Sequence, residues 1–254
     1  MIQTTLNVIV AACQFEPKFL DVYANIATAQ QLVFEAAGKG AKVVVLPELC
    51  MSGFVFHNIR EAASCAQEYD GYQTQALIHL AEQFGCHIVF GYVESHNGKL
   101  YNSACVVGPA GIEANTQKHN LQGSDNLWAT SGEGLAPVVI TPAGRLGVLI
   151  CRDVSNKFRE SYAFYKPEQR FYKKGSIDTI ALLTNWGTHY NYPDSSWVEL
   201  AEETNSNVIV SNRIGTERDI KFKGGSTIID RNKNVWSHGS SFTEKAVVGG
   251  VVIL

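Results

Sequence analysis

Two rhythms of apolar and polar positions alternate along the chain. Leu6 to Phe15 is an apolar run rich in β-branched residues and reads as a strand. Val22, Ile26, Ala29, Val33 and Ala36 then recur at spacings of three and four, the stripe of an amphipathic helix, and Gly38-Lys39-Gly40 stops it. Lys42 to Leu46 is a short apolar strand closed by Pro47-Glu48. Ala76, Leu77, Leu80, Ala81 and Phe84 form a second helical stripe ended by Gly85. His87 to Val93 and Leu100 to Val107 predict a hairpin, because Asn97-Gly98 suits a tight turn with both central residues at positive φ.

The plan returns in the second half. Val138 to Thr141 and Arg145 to Ile150 flank a Pro142-Ala143-Gly144 turn. Ile177 to Leu183, Asn207 to Ser211, Ser226 to Ile229 and Ala246 to Ile253 read as further strands. Lys157 to Lys174, polar and rich in aromatic residues, and Ser195 to Thr204 read as helices. Gln117 to Ala136, rich in Gly, Ser and Asn, follows neither rhythm, and unpatterned loops of that length are often functional. No low-complexity segment or Pro/Ser linker divides the chain. A single domain over residues 1–254 is expected, of the α/β (α+β) class, with mixed sheets and helices outside them.

Composition narrows the function. The 254 residues are 45% hydrophobic and 18% charged, a globular balance that can bury a core without a disulfide or metal staple. A net charge of −3 leaves no basic footprint, so no nucleic-acid partner is expected. Met1-Ile2-Gln3-Thr4-Thr5 lacks the basic region and apolar core of a signal peptide. No apolar run approaches the roughly 20 residues that span a bilayer, so no membrane partner is expected either. The cysteines at 13, 50, 65, 86, 105 and 151 form no CxxC pair, which points to a reduced, cytoplasmic protein with most thiols used in packing. The seven histidines form no HExxH or H-x-H pair and no Walker motif is present, so no zinc site and no P-loop nucleotide site is expected.

Candidate chemistry lies where strands end, since sheets flanked by helices bind ligands beyond the carboxyl ends of their strands. Val43-Val44-Val45-Leu46-Pro47 ends at Glu48, Gly147-Val148-Leu149-Ile150 at Cys151, and Ile180-Ala181-Leu182-Leu183 at Thr184-Asn185-Trp186. A carboxylate and a thiol at neighbouring strand ends suggest a nucleophile with its base. The plain alternative is a packed cysteine and a solvated glutamate.

Leu46-Pro47-Glu48-Leu49-Cys50-Met51-Ser52-Gly53-Phe54 carries the pattern P-E-L-x-x-x-G-[YF]. Gln117-Lys118-His119-Asn120-Leu121 is a lysine motif, and Gly147 to Asp153 reads G-x-x-I-C-x-D. Glu48, Lys118 and Cys151 follow one another at separations of 70 and 33 residues. Asn185-Trp186, Val210-Ser211-Asn212-Arg213-Ile214-Gly215 and Gly225-Ser226-Thr227-Ile228-Ile229-Asp230 add three further patterns. In this order and spacing the set resembles the nitrilase (carbon–nitrogen hydrolase) superfamily over about residues 6–254.

The resemblance implies a four-layer α-β-β-α sandwich of the nitrilase type. It implies Glu48 as general base, Cys151 as nucleophile and Lys118 as cationic stabiliser of an oxyanion, joined by the backbone N–H of Arg152. The reaction implied is hydrolysis of a non-peptide C–N bond in a small linear amide or carbamoyl compound through a cysteine thioester, without a cofactor. Asp125 stands where many members carry a second glutamate, with Glu133 as a competing candidate. Phe54, Asn185 and Trp186 are candidate supports or walls of the site, and Asp153 a support for the nucleophile turn.

Some positions depart from the family pattern. Asn120 replaces a frequent histidine, and Val154 to Glu160 replaces an aromatic-Pro-Glu stretch, so no subfamily substrate is carried over. Nitrile hydrolysis at the same site and a catalytically retired binding or scaffold protein are the alternatives. The family's pairing of subunits across outer helices implies a homodimer or higher homo-oligomer. Lys157 to Lys174, with Phe158, Tyr162, Phe164, Tyr165, Phe171 and Tyr172, is the expected seam.

Overall fold

The computed structural model describes residues 6–133, 136–154, 172, 174–188, 195–238 and 243–253. The expected helix and subunit seam over Lys157–Lys174 lie outside the described residues except for Tyr172 and Lys174.

The first half contains β1 (Leu6–Gln14), α1 (Val22–Gly38), β2 (Val43–Val45), α2 (Ile59–Cys65), α3 (Tyr72–Phe84), β3 (His87–His96), β4 (Lys99–Gly108) and β5 (Gly111–Gln117). The second contains β6 (Val138–Thr141), β7 (Gly144–Ile150), β8 (Thr179–Thr184), α4 (Ser195–Thr204), β9 (Asn207–Asn212), β10 (Ile214–Glu217), β11 (Ile220–Lys223), β12 (Thr227–Ile229), β13 (Val235–His238) and β14 (Lys245–Ile253). One six-stranded sheet has the order β14-β1-β2-β3-β4-β5 and the other β13-β12-β9-β8-β7-β6. Each has a parallel centre, β1-β2-β3 in the first and β7-β8-β9 in the second.

Strand alternation sorts the side chains of the first sheet between two cores. Val10, Ala12, Val43, Val45, Val89, Ala104 and Val106 face inward and join Val148, Ile150, Ile180, Leu182 and Val210 of the second sheet. Their neighbours Ala11, Cys13, Val44, Ile88, Phe90, Cys105 and Val107 face outward and meet Ile26, Ala29, Val33 and Ala36 of α1 and Leu77 and Ala81 of α3. The inner cluster also takes in Trp197, Leu200 and Ala201 of α4 on the far side of the second sheet. Helix, sheet, sheet and helix therefore stack as the expected four-layer sandwich.

The Asn97-Gly98 hairpin forms as expected, with φ of 50° and 72° and His96 paired to Lys99. Other elements are missing from the hydrophobic rhythm. Helix α2 is too short to show a period and is started by Asn58, whose side-chain oxygen accepts the N–H groups of Arg60 and Glu61. Helix α3 begins at Tyr72, four residues before the apolar stripe at Ala76, because the Gln67 side chain accepts the Gln73 N–H at 2.8 Å. Strand β5 is a polar segment held by pairing with β4, so the unpatterned loop starts after Gln117 and contains a 3₁₀ turn at Gly123–Leu127. No helix among the described residues is long and apolar enough to cross a membrane.

Candidate active site

Glu48 is positioned by backbone. Beyond β2 the chain keeps following β3, with the Leu46 N–H donating to Val89 at 2.8 Å and the Gly91 N–H donating to Pro47 at 3.3 Å. Leu49 then turns the chain away at a φ of 47°. Lys118 follows β5 directly: its N–H donates to Asn102 and its carbonyl accepts from Gly132, both at 2.8 Å. Cys151 directly follows β7 and opens the 3₁₀ turn Cys151–Val154 with a φ of 47°, a left-handed conformation costly for a residue with a Cβ. The Asp153 carboxylate accepts the Asn120 N–H at 2.9 Å, tying this turn to the lysine loop.

The side chains converge from there. The Lys118 Nζ lies 2.7 Å from Glu48 Oε1 and 2.6 Å from Asp125 Oδ2. Asn102 Nδ2 donates to Glu48 Oε1 at 2.8 Å and to Asp125 Oδ1 at 3.2 Å. Glu48 and Lys118 are each 1% exposed and Asp125 and Asn102 are wholly buried, so one cation and two carboxylates share an enclosed space. The second oxygen of Glu48, Oε2, has no hydrogen-bond partner among the described residues. Asn185 Nδ2 donates to the Glu48 carbonyl at 3.0 Å, and the Trp186 indole Nε1 donates to Cys151 Sγ at 3.1 Å. The guanidinium of Arg152 lies 5.6 Å above the Trp186 ring.

Electrostatics follows from this crowding. Burial raises the Glu48 pKa above its ordinary value; the Lys118 charge and the Lys118 and Asn102 hydrogen bonds oppose the rise, and the Asp125 charge adds to it. Burial works against the Lys118 charge, but Asp125 and Glu48 overcome it and hold that ammonium well above its ordinary pKa. Burial and then Glu48 push the Cys151 thiol up to about 12 against the pull of Lys118, the Asn185 backbone N–H and Arg152. Cys151 therefore rests as a thiol, beside a carboxylate with a raised proton affinity and an open oxygen. That arrangement suits proton transfer from sulfur to Glu48 during attack.

Glu48, Lys118, Asp125, Cys151, Asn185 and Trp186 are brought together, and Arg152 borders them. Glu133 is exposed and outside the ionic cluster, so Asp125 is the carboxylate that reaches Lys118. Phe54 packs edge-on against Phe222 at 6.1 Å, and its carbonyl accepts from Ser124, joining the glutamate loop to the Asp125 turn. Asn102 was not singled out from sequence. Its signal is a polar residue in phase with the inward-facing Ala104 and Val106 of an apolar strand.

Residues 9–168 match the carbon–nitrogen hydrolase family. The chain is 31% identical to a nitrilase of Pyrococcus abyssi over 243 residues, 95% of this chain and 88% of the relative. The fold superposes on a carbon–nitrogen hydrolase superfamily protein of Xanthomonas campestris with a TM-score of 0.81, at 20% identity, over 96% of this chain and 90% of the other. It superposes on an amidase of Nesterenkonia, solved with acrylamide added to its active-site cysteine, with a TM-score of 0.78, at 18% identity, over 95% and 92% of the two chains. With that match over more than half of its length and a relative this similar along nearly its whole length, the chain belongs to the carbon–nitrogen hydrolase family, the nitrilase superfamily.

Proposed function

We propose that the protein is an amidase-type hydrolase that cleaves the C–N bond of a small linear amide or carbamoyl compound with Glu48, Lys118 and Cys151. The observation that carries this reading is the buried Lys118 ammonium, clamped between Glu48 and Asp125 at 2.7 and 2.6 Å, beside a thiol and an open carboxylate oxygen. Burying two carboxylates on one cation is costly unless each is held by further hydrogen bonds, a cost a catalytic site bears for reactivity.

The Cys151 sulfur attacks the carbonyl carbon as its proton passes to Glu48. The oxyanion forms against Lys118 and the backbone N–H of Arg152. The C–N bond breaks, ammonia or an amine leaves with the proton from Glu48, and a thioester remains. Glu48 then takes a proton from water, which attacks the thioester and releases the acid and the free thiol. Asp125, through Asn102 and Lys118, keeps the ammonium charged and in place. No cofactor enters these steps. The acrylamide adduct of the Nesterenkonia amidase is a small amide on the cysteine of a similarly folded enzyme, which is consistent with this reading.

An ammonia-release screen across short amides, carbamoyl compounds and nitriles tests the proposal. Turnover of amides or carbamoyl compounds that is lost in Cys151→Ala supports it. Turnover of nitriles alone would assign nitrile hydrolysis, and no turnover beside an active relative would favour a binding protein. Lys118→Ala should lower kcat by at least about 10²-fold, as loss of an oxyanion donor does. The proposal includes a homodimer or higher homo-oligomer, which a light-scattering mass near the 27.8 kDa of one chain would overturn.

A further inference from the structure

We propose that the Trp186 indole N–H is a catalytic hydrogen-bond donor to the Cys151 sulfur, stabilising the thiolate each time it forms. This rests on the reading of Cys151 as nucleophile and adds a group to it. The indole nitrogen can donate and cannot accept, so at 3.1 Å the sulfur is the acceptor. A neutral thiol is a weak acceptor, whereas hydrogen bonds to an ionised partner are about twice as strong as neutral ones. The contact therefore gains strength as sulfur loses its proton, which is the condition for an interaction to accelerate a step rather than only bind. The same gain recurs when the tetrahedral intermediate of thioester hydrolysis expels the thiolate.

The ring is held for this purpose from several sides. The Trp186 N–H donates to Asn212 Oδ1 at 2.8 Å, and the Trp186 carbonyl accepts from Asn212 Nδ2 and the Lys223 N–H, each at 3.3 Å. Trp197 stacks on the ring at 4.9 Å between centroids with a 35° tilt, and the Arg152 guanidinium sits over it. Trp186 is 4% exposed, so water does not readily replace the indole as donor. A ring that served only as a pocket wall would need shape but no donor aimed at sulfur.

The test is the pH dependence of Cys151 alkylation by iodoacetamide, followed by peptide mapping. It compares the intact protein, Trp186→Phe, and a protein with benzothienylalanine at position 186, which keeps the bicyclic shape and replaces only the N–H. Both variants should alkylate at least about tenfold more slowly at every pH from about 7 to about 9. Their kcat on the best amide of the ammonia-release panel should fall by a similar factor while KM changes by less than about twofold. An unchanged alkylation profile in the benzothienylalanine protein overturns the proposal. A raised KM with unchanged kcat overturns it as well and makes Trp186 a wall. If Trp186→Phe loses its circular dichroism signature of folding, the benzothienylalanine protein decides the matter alone. Turnover that persists in Cys151→Ala would instead overturn the nucleophile assignment and this inference with it.

Discussion

The backbone of Glu48 crosses β3 directly over Gly91: a Cβ at position 91 would stand 2.8 Å from Glu48 Cα and closer still to the Leu49 nitrogen. Both are backbone atoms with no rotamer to yield, so Gly91→Ala must push the glutamate turn off the sheet. The expected result is a loss of about 1–3 kcal/mol of stability from overpacking. Activity should fall further, by about 10²-fold in kcat, because a base misplaced by a fraction of an ångström loses its alignment. Urea denaturation and steady-state kinetics on the same preparation separate the two effects. An unaltered kcat would show that Glu48 tolerates displacement and is not the base.

Glu48→Gln addresses the charge itself. Burial and the Asp125 charge raise the folded-state pKa of Glu48 above its ordinary 4.5, in spite of Lys118. A carboxyl group with a raised folded pKa stabilises the fold fully only below its unfolded value, and that stability is lost as pH rises through the folded pKa. Ionising Glu48 therefore costs the fold stability. Gln keeps an oxygen for the Lys118 and Asn102 hydrogen bonds without the charge. The variant should lose turnover by at least about 10³-fold, yet melt at an equal or higher temperature at pH 7. The difference in melting temperature should shrink below pH 4.5. A clear fall in melting temperature at pH 7 would mean that the ion pair contributes more than its burial costs.

Part of this site was legible because Glu48 and Cys151 each follow a patterned strand. Glu48 and Cys151 follow runs of buried β-branched and aliphatic residues, and their motifs are short in sequence. Asp125 was legible only through the family resemblance. Its 3₁₀ turn lies in a polar stretch without period, and its partner Lys118 is the residue that identifies it. Asn102 was missed because a single polar residue in a strand does not announce a partner 54 positions away. The β10–β11 hairpin was missed for a similar reason. Its residues show no sustained alternation, and its fixing interactions are long-range.

That hairpin predicts a structural sensitivity. Glu217 accepts the backbone N–H groups of Phe54, at 2.8 Å, and of Val55, and pairs with the wholly buried Arg213 at 2.6 Å. Burial already lowers the Arg213 pKa from its ordinary value, with Glu217 as the main opposing influence. Glu217→Ala leaves a buried guanidinium and two backbone donors without their acceptor. The expected cost is about 3–5 kcal/mol, as for other buried pairs broken on one side. The glutamate loop should also become more open to hydrogen exchange at Phe54 and Val55. Removing both charges, in Arg213→Met with Glu217→Gln, should recover part of the stability. A double variant no better than the single one would show that neither the unpaired guanidinium nor the two unmet backbone N–H donors carry the cost.

Asp125 offers a test in which a supporting carboxylate and a merely structural one give different pH profiles. Its charge is one of the causes that raise the Glu48 pKa, and its hydrogen bond to Lys118 draws that ammonium partly away from Glu48. Asp125→Asn removes the repulsion and frees Lys118 to pair more fully with Glu48. Both changes lower the Glu48 pKa, so the acid limb of kcat/KM should move to lower pH. Glu48 is then a weaker base, and kcat on the plateau should fall, by about 10- to 10²-fold. Cys151, pushed up to about 12, and Lys118, held well above its ordinary value, supply no limb near neutrality, but burial pushes the neighbouring Asp153 up to about 7, so the Asp125→Asn profile is read against an Asp153→Asn background. Asp125→Glu, one methylene longer, keeps the charge and should leave the acid limb near its original position even if kcat suffers from geometry. A plateau that drops in Asp125→Asn while the acid limb stays where it was would make Asp125 a packing residue, with no electrical hold on the base.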